Sequence, residues 1–103
     1  MKILKPLILV ATIAASSTVF PMKAQAQRVL GGVNIDVYCQ NRFGNTARAE
    51  LVENTAYGWR CRIGRDLVSL SIDNACRFQY NNQRAYSRAT NLRDPYSWQC
   101  VVN

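Results

Sequence analysis

The fold of this chain depends on a short pattern that occurs twice, as AYGWRC at residues 56–61 and within DPYSWQC at residues 94–100. In both copies a tyrosine, a tryptophan and a cysteine fall at alternate positions, which is the period of a β-strand. The pattern predicts two strands, each with an inner face of two aromatic side chains and a cysteine. We interpret these aromatic side chains as core residues rather than as a ligand platform, because tyrosine and tryptophan bury a large apolar area.

A second pattern precedes each of these strands: residues 34–39 are NIDVYC and residues 71–76 are SIDNAC. Each begins with a residue type that caps helix N-termini and continues with an aspartate that suits the positive end of a helix dipole. Isoleucine and cysteine then fall on one helical face. The two segments predict short helices, which we expect to end at Gly44 and at Asn81-Asn82.

The order of these features indicates an internal duplication. We predict a single α+β domain at residues 31–102 with two similar units, 34–61 and 71–100, in which two short helices pack on a small antiparallel sheet. Further strands are expected at residues 46–52, 67–72 and 85–90, with a hairpin turn at residues 64–66.

The four cysteines, Cys39, Cys61, Cys76 and Cys100, predict two disulfides, because a core alone is marginal in a domain of this size. Gaps of 22, 15 and 24 residues, in a chain without histidine, argue against a zinc site. Pairing within each unit would join helix to strand twice, and crossed pairings stay open at this point. No metal or other cofactor is expected.

The N-terminal segment has the pattern of a signal peptide. Two lysines precede an apolar run at residues 7–20, and Ala24-Gln25-Ala26 matches the site that a signal peptidase cleaves. The run is too short to serve as a membrane anchor. We therefore predict removal of residues 1–26 and a secreted or periplasmic protein. All three lysines leave with this segment, so ten arginines face six acidic residues and the net charge becomes +4.

The remaining residues favour binding over catalysis. Histidine, the commonest general base near neutral pH, is absent, and paired cysteines offer no thiolate nucleophile. Glu50 and Glu53 would face opposite sides of a strand, and Asp36 and Asp73 are explained as helix-start residues. We expect no enzymatic activity. A small nuclease built from arginine, tyrosine and glutamate is the least favoured hypothesis.

The leading hypothesis rests on arginine, whose planar fork binds sulfate, phosphate and carboxylate through paired hydrogen bonds. If the predicted strands lie adjacent, outward arginines share one sheet face, and a tyrosine adds a stacking surface. We predict a non-enzymatic binding module for an anionic polysaccharide or another envelope component, without a membrane anchor and with nucleic acid disfavoured. Ordinary surface arginines balanced by acids are the alternative. The candidate ligand-binding residues are Arg48, Arg60, Arg62, Arg65, Arg88 and Tyr86.

A second hypothesis is a secreted inhibitor or effector that binds a protein partner. Its candidate docking segment is residues 91–95, NLRDP, which carries an unusual Leu-Arg-Asp-Pro sequence. The sequence indicates no oligomeric state.

Three segments also carry a resemblance: AYGWRC (56–61), ACRFQY (75–80) and DPYSWQC (94–100). They resemble the markers of small secreted bacterial proteins, cyanobacterial and actinobacterial among them. The similarity covers nearly all of the chain after the predicted signal peptide. It implies export and a disulfide-stabilised domain, and it assigns no activity, catalytic residue or ligand residue.

Overall fold

The computed structural model describes residues 26–103, so all of the predicted signal peptide except Ala26 lies outside the described residues. The predicted α+β class, with two short helices on antiparallel strands, is confirmed. The first strand was not predicted, and the others are shorter than expected. In chain order the elements are β1 (Arg28–Gly31), α1 (Ile35–Phe43), β2 (Arg48–Leu51), β3 (Trp59–Ile63), β4 (Asp66–Val68), α2 (Ile72–Tyr80), β5 (Tyr86–Ala89) and β6 (Trp98–Val102).

Both helices begin and end where the sequence predicts. The Asn34 side chain accepts a hydrogen bond from the third residue of α1, and the Ser71 hydroxyl does the same for α2, each at 3.0 Å. These bonds satisfy backbone N–H groups that have no partner within the helix. Helix α1 ends at Gly44, and α2 ends at Asn81 in the left-handed conformation, with φ of 49°. The strand predicted at residues 67–72 ends at Val68 instead, and Ser71 and Ile72 belong to the start of α2.

The antiparallel strands form two three-stranded sheets, in the orders β2-β3-β4 and β1-β6-β5. Each unit extends beyond its predicted bounds of 34–61 and 71–100 and consists of a strand, a helix and two further strands. The first unit contains β1, α1, β2 and β3, and the second contains β4, α2, β5 and β6. The last two strands of a unit pair with each other, whereas its first strand pairs with the last strand of the other unit. The units therefore exchange their first strands, and neither sheet is complete without both.

The disulfides pair within each unit. Cys39 in α1 bonds Cys61 in β3, and Cys76 in α2 bonds Cys100 in β6, with Cα–Cα distances of 5.6 and 5.4 Å. All four cysteines are fully buried, and with Val101 they are the largest fully buried side chains of the described residues. The core is therefore small, and each disulfide occupies the place where a helix meets its sheet.

Asp36 and Asp73 do more than favour a helix start. An oxygen of Asp36 accepts a hydrogen bond from the Ala49 N–H at 2.8 Å, and Asp73 accepts one from the Ser87 N–H at 2.7 Å. The strands β2 and β5 are edge strands, and these N–H groups bond to the helix rather than to a neighbouring strand. Each aspartate thus holds an edge strand against the helix of its own unit.

We predict that removing either disulfide destabilises the domain strongly. In the chain-entropy model a closed loop of this size contributes about 3 kcal/mol, which is a large share of the stability of a small domain. Replacing Cys76 and Cys100 together by alanine should lower the midpoint of urea unfolding, followed by circular dichroism. Replacing Cys39 and Cys61 should have a similar effect. A reduced wild-type protein that unfolds at the same urea concentration as the oxidised form would contradict this prediction.

We also predict an acid-sensitive contribution from Asp73. Burial raises the pKa of this carboxyl, but hydrogen bonds from the Ser87 hydroxyl and N–H and the charge of Arg77 together lower the pKa below its usual value. A lowered folded-state pKa stabilises the fold above the unfolded value of about 3.9, and this stabilisation is lost as the pH falls through the folded-state pKa.

The Asp73→Asn variant should therefore be less stable at pH 7, and its stability should fall less steeply below about pH 5 than that of the wild type. Urea unfolding at a series of pH values measures both effects. Asp66, exposed at the start of β4, gives the control, since Asp66→Asn should leave the stability at pH 7 unchanged. Parallel acid profiles for Asp73→Asn and the wild type would exclude this role.

Candidate functional site

The two repeated aromatic patterns meet at the junction of the units. The Tyr57 ring contacts the Trp98 ring edge to face at a centroid distance of 6.0 Å, and Tyr96 contacts Trp59 in the same way at 5.7 Å. Each pair joins one unit to the other. The four rings form one cluster with an approximate two-fold relation, which matches the duplication in the sequence.

Hydrogen bonds fix the tryptophans in this cluster. The Trp59 indole N–H donates to the Pro95 carbonyl at 2.8 Å, and the Trp98 indole N–H donates to the Ala56 carbonyl at 2.7 Å. Each acceptor directly precedes the tyrosine that contacts the same tryptophan. The indole groups therefore hold the tyrosine of the other unit in position through its backbone.

The prediction that both tyrosines face inward with the cysteines is wrong. Tyr57 is 62% exposed and Tyr96 is 74% exposed. The strands begin only at Trp59 and Trp98, so each tyrosine precedes its strand and the alternation of a strand does not apply to it. The tryptophans are half-buried, whereas the tyrosines project toward solvent.

Both tyrosines stand on turns that are closed by hydrogen bonds. Before β3, the Gly58 N–H donates to the Thr55 carbonyl at 3.1 Å, and a side chain at position 58 would overlap the Glu53 carbonyl. Before β6, the Asp94 side chain accepts a hydrogen bond from the Tyr96 N–H at 2.8 Å. The exposed rings are therefore presented by ordered backbone.

An open groove of about 650 Å³ runs beside this cluster, and we call it the aromatic groove. Its volume lies within the range of roughly 300 to 1,000 Å³ that is usual for ligand sites. One wall comes from the aromatic cluster, and the other from the link between β1 and α1 and from the end of α2. The lining residues are Gly32, Val33, Asn34, Ile35, Asp36, Ala49, Trp59, Gln79, Tyr80, Pro95, Tyr96 and Trp98.

The groove carries little charge that is available to a ligand. Asp36 is its one charged lining residue, and the two oxygens of this carboxylate accept from the Ala49 N–H and, at 3.3 Å, from the Gln40 amide. By contrast, neither the side-chain amide nitrogen of Asn34 nor the Tyr96 hydroxyl has a hydrogen-bond partner within residues 26–103. The groove therefore offers aromatic faces together with a neutral donor and a hydroxyl.

The wall opposite the cluster is fixed by contacts of α2 with the chain before α1. The Tyr80 hydroxyl donates to the Gly32 carbonyl at 2.7 Å, and the Gln79 side chain accepts from the Asn34 N–H at 2.7 Å. Gly31 permits this approach, because its φ is 144° and a side chain there would overlap the Tyr80 hydroxyl. Residues of both units therefore form the walls of the groove.

The predicted arginine face is divided between the two sheets. Arg48, Arg60 and Arg62 lie on the outer face of β2 and β3, and Arg65 lies in the exposed turn between β3 and β4. Arg88 and Tyr86 lie on β5, which belongs to the other sheet. The predicted adjacency therefore holds for β2 and β3, which carry three of the arginines. It is wrong for β5, because β4 lies beside β3.

Most of these arginines already have partners within the protein. Arg62 donates twice to Glu50, at 2.5 and 3.0 Å. The hydrogen bond from Arg62 lowers the pKa of the Glu50 carboxyl. Arg88 donates to the side chains of Gln27 and Gln99. The guanidinium groups of these two arginines therefore bind side chains of the protein itself, which leaves fewer donors for a ligand.

Tyr86 also has a local role. Its hydroxyl accepts from the Gln27 amide at 2.7 Å and donates to the Asn103 side chain at 3.0 Å. These bonds join residues before β1 and after β6 to β5. Tyr86 therefore links the two ends of the described chain, and it lies in a different sheet from Arg48, Arg60 and Arg62.

The predicted docking segment, residues 91–95, is an ordered turn. The Asp94 N–H donates to the Asn91 carbonyl at 2.9 Å, and the Leu92 carbonyl accepts from the Ala56 N–H of the other unit at 2.9 Å. The Leu92 side chain is 56% exposed. This segment is therefore bonded to the residue that precedes Tyr57, and its Leu92 side chain is exposed to solvent.

Within residues 26–103, no cysteine is free and no group of three or more His, Cys, Asp or Glu side chains is suitably placed for a metal ion. No helix in this part of the chain is long and apolar enough to cross a membrane. A scan against protein-family models and searches of curated proteins and of solved structures find no match to the chain.

The aromatic groove was not predicted, although the sequence carries a signal for it. Pro95 directly precedes Tyr96, and Gly58 directly follows Tyr57, and both residue types are typical of turns. Given this signal, each tyrosine belongs to a turn rather than to the strand that follows. That the two turns meet, however, depends on contacts between units.

We predict that the indole hydrogen bonds matter for stability and the tyrosine hydroxyls do not. Trp98→Phe should lower the free energy of unfolding by about 1 kcal/mol, because it leaves the Ala56 carbonyl without its donor. Tyr96→Phe should change the stability by less than about 0.5 kcal/mol, as is usual for surface substitutions. Urea unfolding measures both. Equal losses in the two variants would contradict this assignment.

Proposed function

We propose that this protein is a non-enzymatic binding module for an envelope polysaccharide and that the aromatic groove is its binding site. One observation carries the proposal: Tyr96 projects 74% exposed from an ordered turn, beside two half-buried tryptophans. Large aromatic side chains that a folded domain exposes to solvent are typical of binding sites.

The chemistry of the groove suits a sugar ring. A pyranose has faces of C–H groups and a rim of hydroxyl groups. The negative face of an aromatic ring attracts the weakly positive C–H groups, and polar groups at the groove edge bond the hydroxyls. The Tyr96 and Trp59 rings supply the aromatic contact, and the side-chain amide nitrogen of Asn34, a residue of the same groove, supplies a hydrogen-bond donor. A groove that is open along its length also admits a long polymer.

The acidic residues of the described chain support a role without catalysis. Hydrolysis of a glycosidic bond usually requires two carboxyl groups placed on either side of the bond. Here Asp36 and Asp73 bind backbone N–H groups of edge strands, and Glu50 is paired with Arg62. The chain also contains no histidine. The groove thus has binding surfaces without an available acid and base.

The proposed location is the periplasm or the cell exterior. Two disulfides within one small domain are typical of proteins that fold in an oxidising compartment. The predicted signal peptide at residues 1–26 agrees with this location. The proposed ligand is still a polysaccharide, as in the arginine hypothesis. The proposed binding site, however, is the aromatic groove rather than the arginine face.

We predict that Tyr96→Ala weakens polysaccharide binding by about fivefold to 150-fold, if a sugar ring gains about the 1–3 kcal/mol that a base gains by stacking on one aromatic ring. A glycan array identifies the ligand of the exported, oxidised protein, and titration calorimetry then measures the affinity of each variant. Leu92→Ala is the matched control, because this exposed side chain lies in the neighbouring turn but outside the groove. It should bind as the wild type does.

The same pair of variants separates the second hypothesis from the first. If the protein instead binds a protein partner through residues 91–95, Leu92→Ala should reduce capture of that partner from envelope extract and Tyr96→Ala should not. Cleavage of RNA or single-stranded DNA by the purified protein would support the nuclease hypothesis and contradict the proposed function.

A further inference from the structure

The duplication gives the aromatic groove a smaller counterpart at the first unit. This second cavity has a volume of about 190 Å³, and we call it the Arg60 pocket. Where the groove has Tyr96 and Trp98, the pocket has Tyr57 and Trp59. Trp59 lines both cavities, so they are neighbours.

The two sites differ in charge. The residue after the strand tryptophan is Arg60 in the first unit and Gln99 in the second. Arg60 lines its pocket, whereas the one charged residue that lines the aromatic groove is an aspartate with both oxygens bonded. The duplicated sites therefore combine similar aromatic walls with different electrostatics.

The Arg60 guanidinium is held in place by the chain around it. One of its nitrogens, Nη1, donates to the Tyr57 carbonyl at 3.0 Å and to the Trp59 carbonyl at 2.8 Å. Within residues 26–103, its other nitrogens make no hydrogen bond. The opposite residue on β2 is Glu50, but that carboxylate forms its ion pair with Arg62. Arg60 thus keeps a positive charge and free donors beside an exposed tyrosine.

We propose that the Arg60 pocket binds the carboxylate of an acidic sugar residue while the aromatic groove binds a neutral one. A guanidinium fork matches a carboxylate through two parallel hydrogen bonds, and the neutral groove offers no such partner. Because the cavities share Trp59, neighbouring residues of one chain reach both. The ligand class is therefore a polysaccharide in which uronic acids and neutral sugars are adjacent. This inference rests on the proposed function.

The test uses two soluble probes of equal length: a hexasaccharide of alternating uronic acid and N-acetylhexosamine, and the same hexasaccharide with its carboxylates reduced to alcohols. The wild type should bind the acidic probe about tenfold more tightly than the reduced probe, as expected for a charge-assisted hydrogen bond. Arg60→Gln, which introduces the residue of the second unit, should bind the two probes within about twofold of each other. Its affinity for the reduced probe should fall much less than its affinity for the acidic probe.

Arg48→Gln is the control, since Arg48 lies on the same outer sheet face and outside the pocket. It removes the same charge and should keep the preference for the acidic probe, also in 0.3 M salt, at which exposed charges are largely screened over about 6 Å. Arg60→Lys, which keeps the charge without the fork, should retain only part of the preference. Unfolding midpoints of the variants show that each is folded.

The outcomes separate this inference from the proposed function. If the wild type binds both probes equally and Tyr96→Ala weakens both, the acidic subsite is wrong and the proposed function stands. If Arg48→Gln loses as much preference as Arg60→Gln, diffuse surface charge explains the preference and the subsite is again wrong. If neither probe binds, the acidic subsite is overturned, and the glycan array together with Tyr96→Ala decides the proposed function. If both probes bind and Tyr96→Ala leaves both affinities unchanged, both proposals are overturned.

Discussion

Each buried disulfide holds a nine-residue helix against one strand of a sheet, and the rest of the structure depends on these two bonds. The reason is the size of the core. Among residues 26–103, the largest fully buried side chains are Val101 and the four cysteines, and the other buried positions include four alanines that are almost fully enclosed, Ala47, Ala56, Ala75 and Ala85. Apolar burial on this scale leaves little to offset the conformational entropy of the chain, so covalent links between distant residues contribute a large share of the stability.

The strand exchange determines how the two disulfide-linked units combine. Because β1 completes the sheet of the second unit and β4 completes the sheet of the first, separation of the units would leave each sheet with only two strands. The indole hydrogen bonds of Trp59 and Trp98 cross the same junction in both directions. The aromatic groove lies where these contacts converge, so it is a product of the pairing and belongs to neither unit alone.

A small, cross-linked domain suits the function that we propose. Binding costs conformational entropy whenever side chains or loops become ordered on the ligand. Here the exposed tyrosines stand on turns that are already closed by hydrogen bonds, and tyrosine itself has few rotatable bonds to restrict. Duplication adds a second site beside the first, and the change between Arg60 and Gln99 gives the two sites different chemistry. A polymer of adjacent acidic and neutral residues would engage both at once.

The sequence by itself determined the parts of this protein that local rules govern. Asn34 and Ser71 begin the helices, Gly44 and Asn81 end them, and the turn at residues 64–66 pairs β3 with β4, because each of these features is local. The repeated order of the cysteines favoured pairing within each unit but left crossed pairings open. Only the tertiary structure decided the disulfide pairing and the partners of the remaining strands, and with them the position of the arginines and the exposure of Tyr57 and Tyr96. Strands pair through hydrogen bonds between backbone N–H and C=O groups, which are the same for every strand. The choice of partner therefore depends on how the two whole units pack, which no short segment of the sequence specifies.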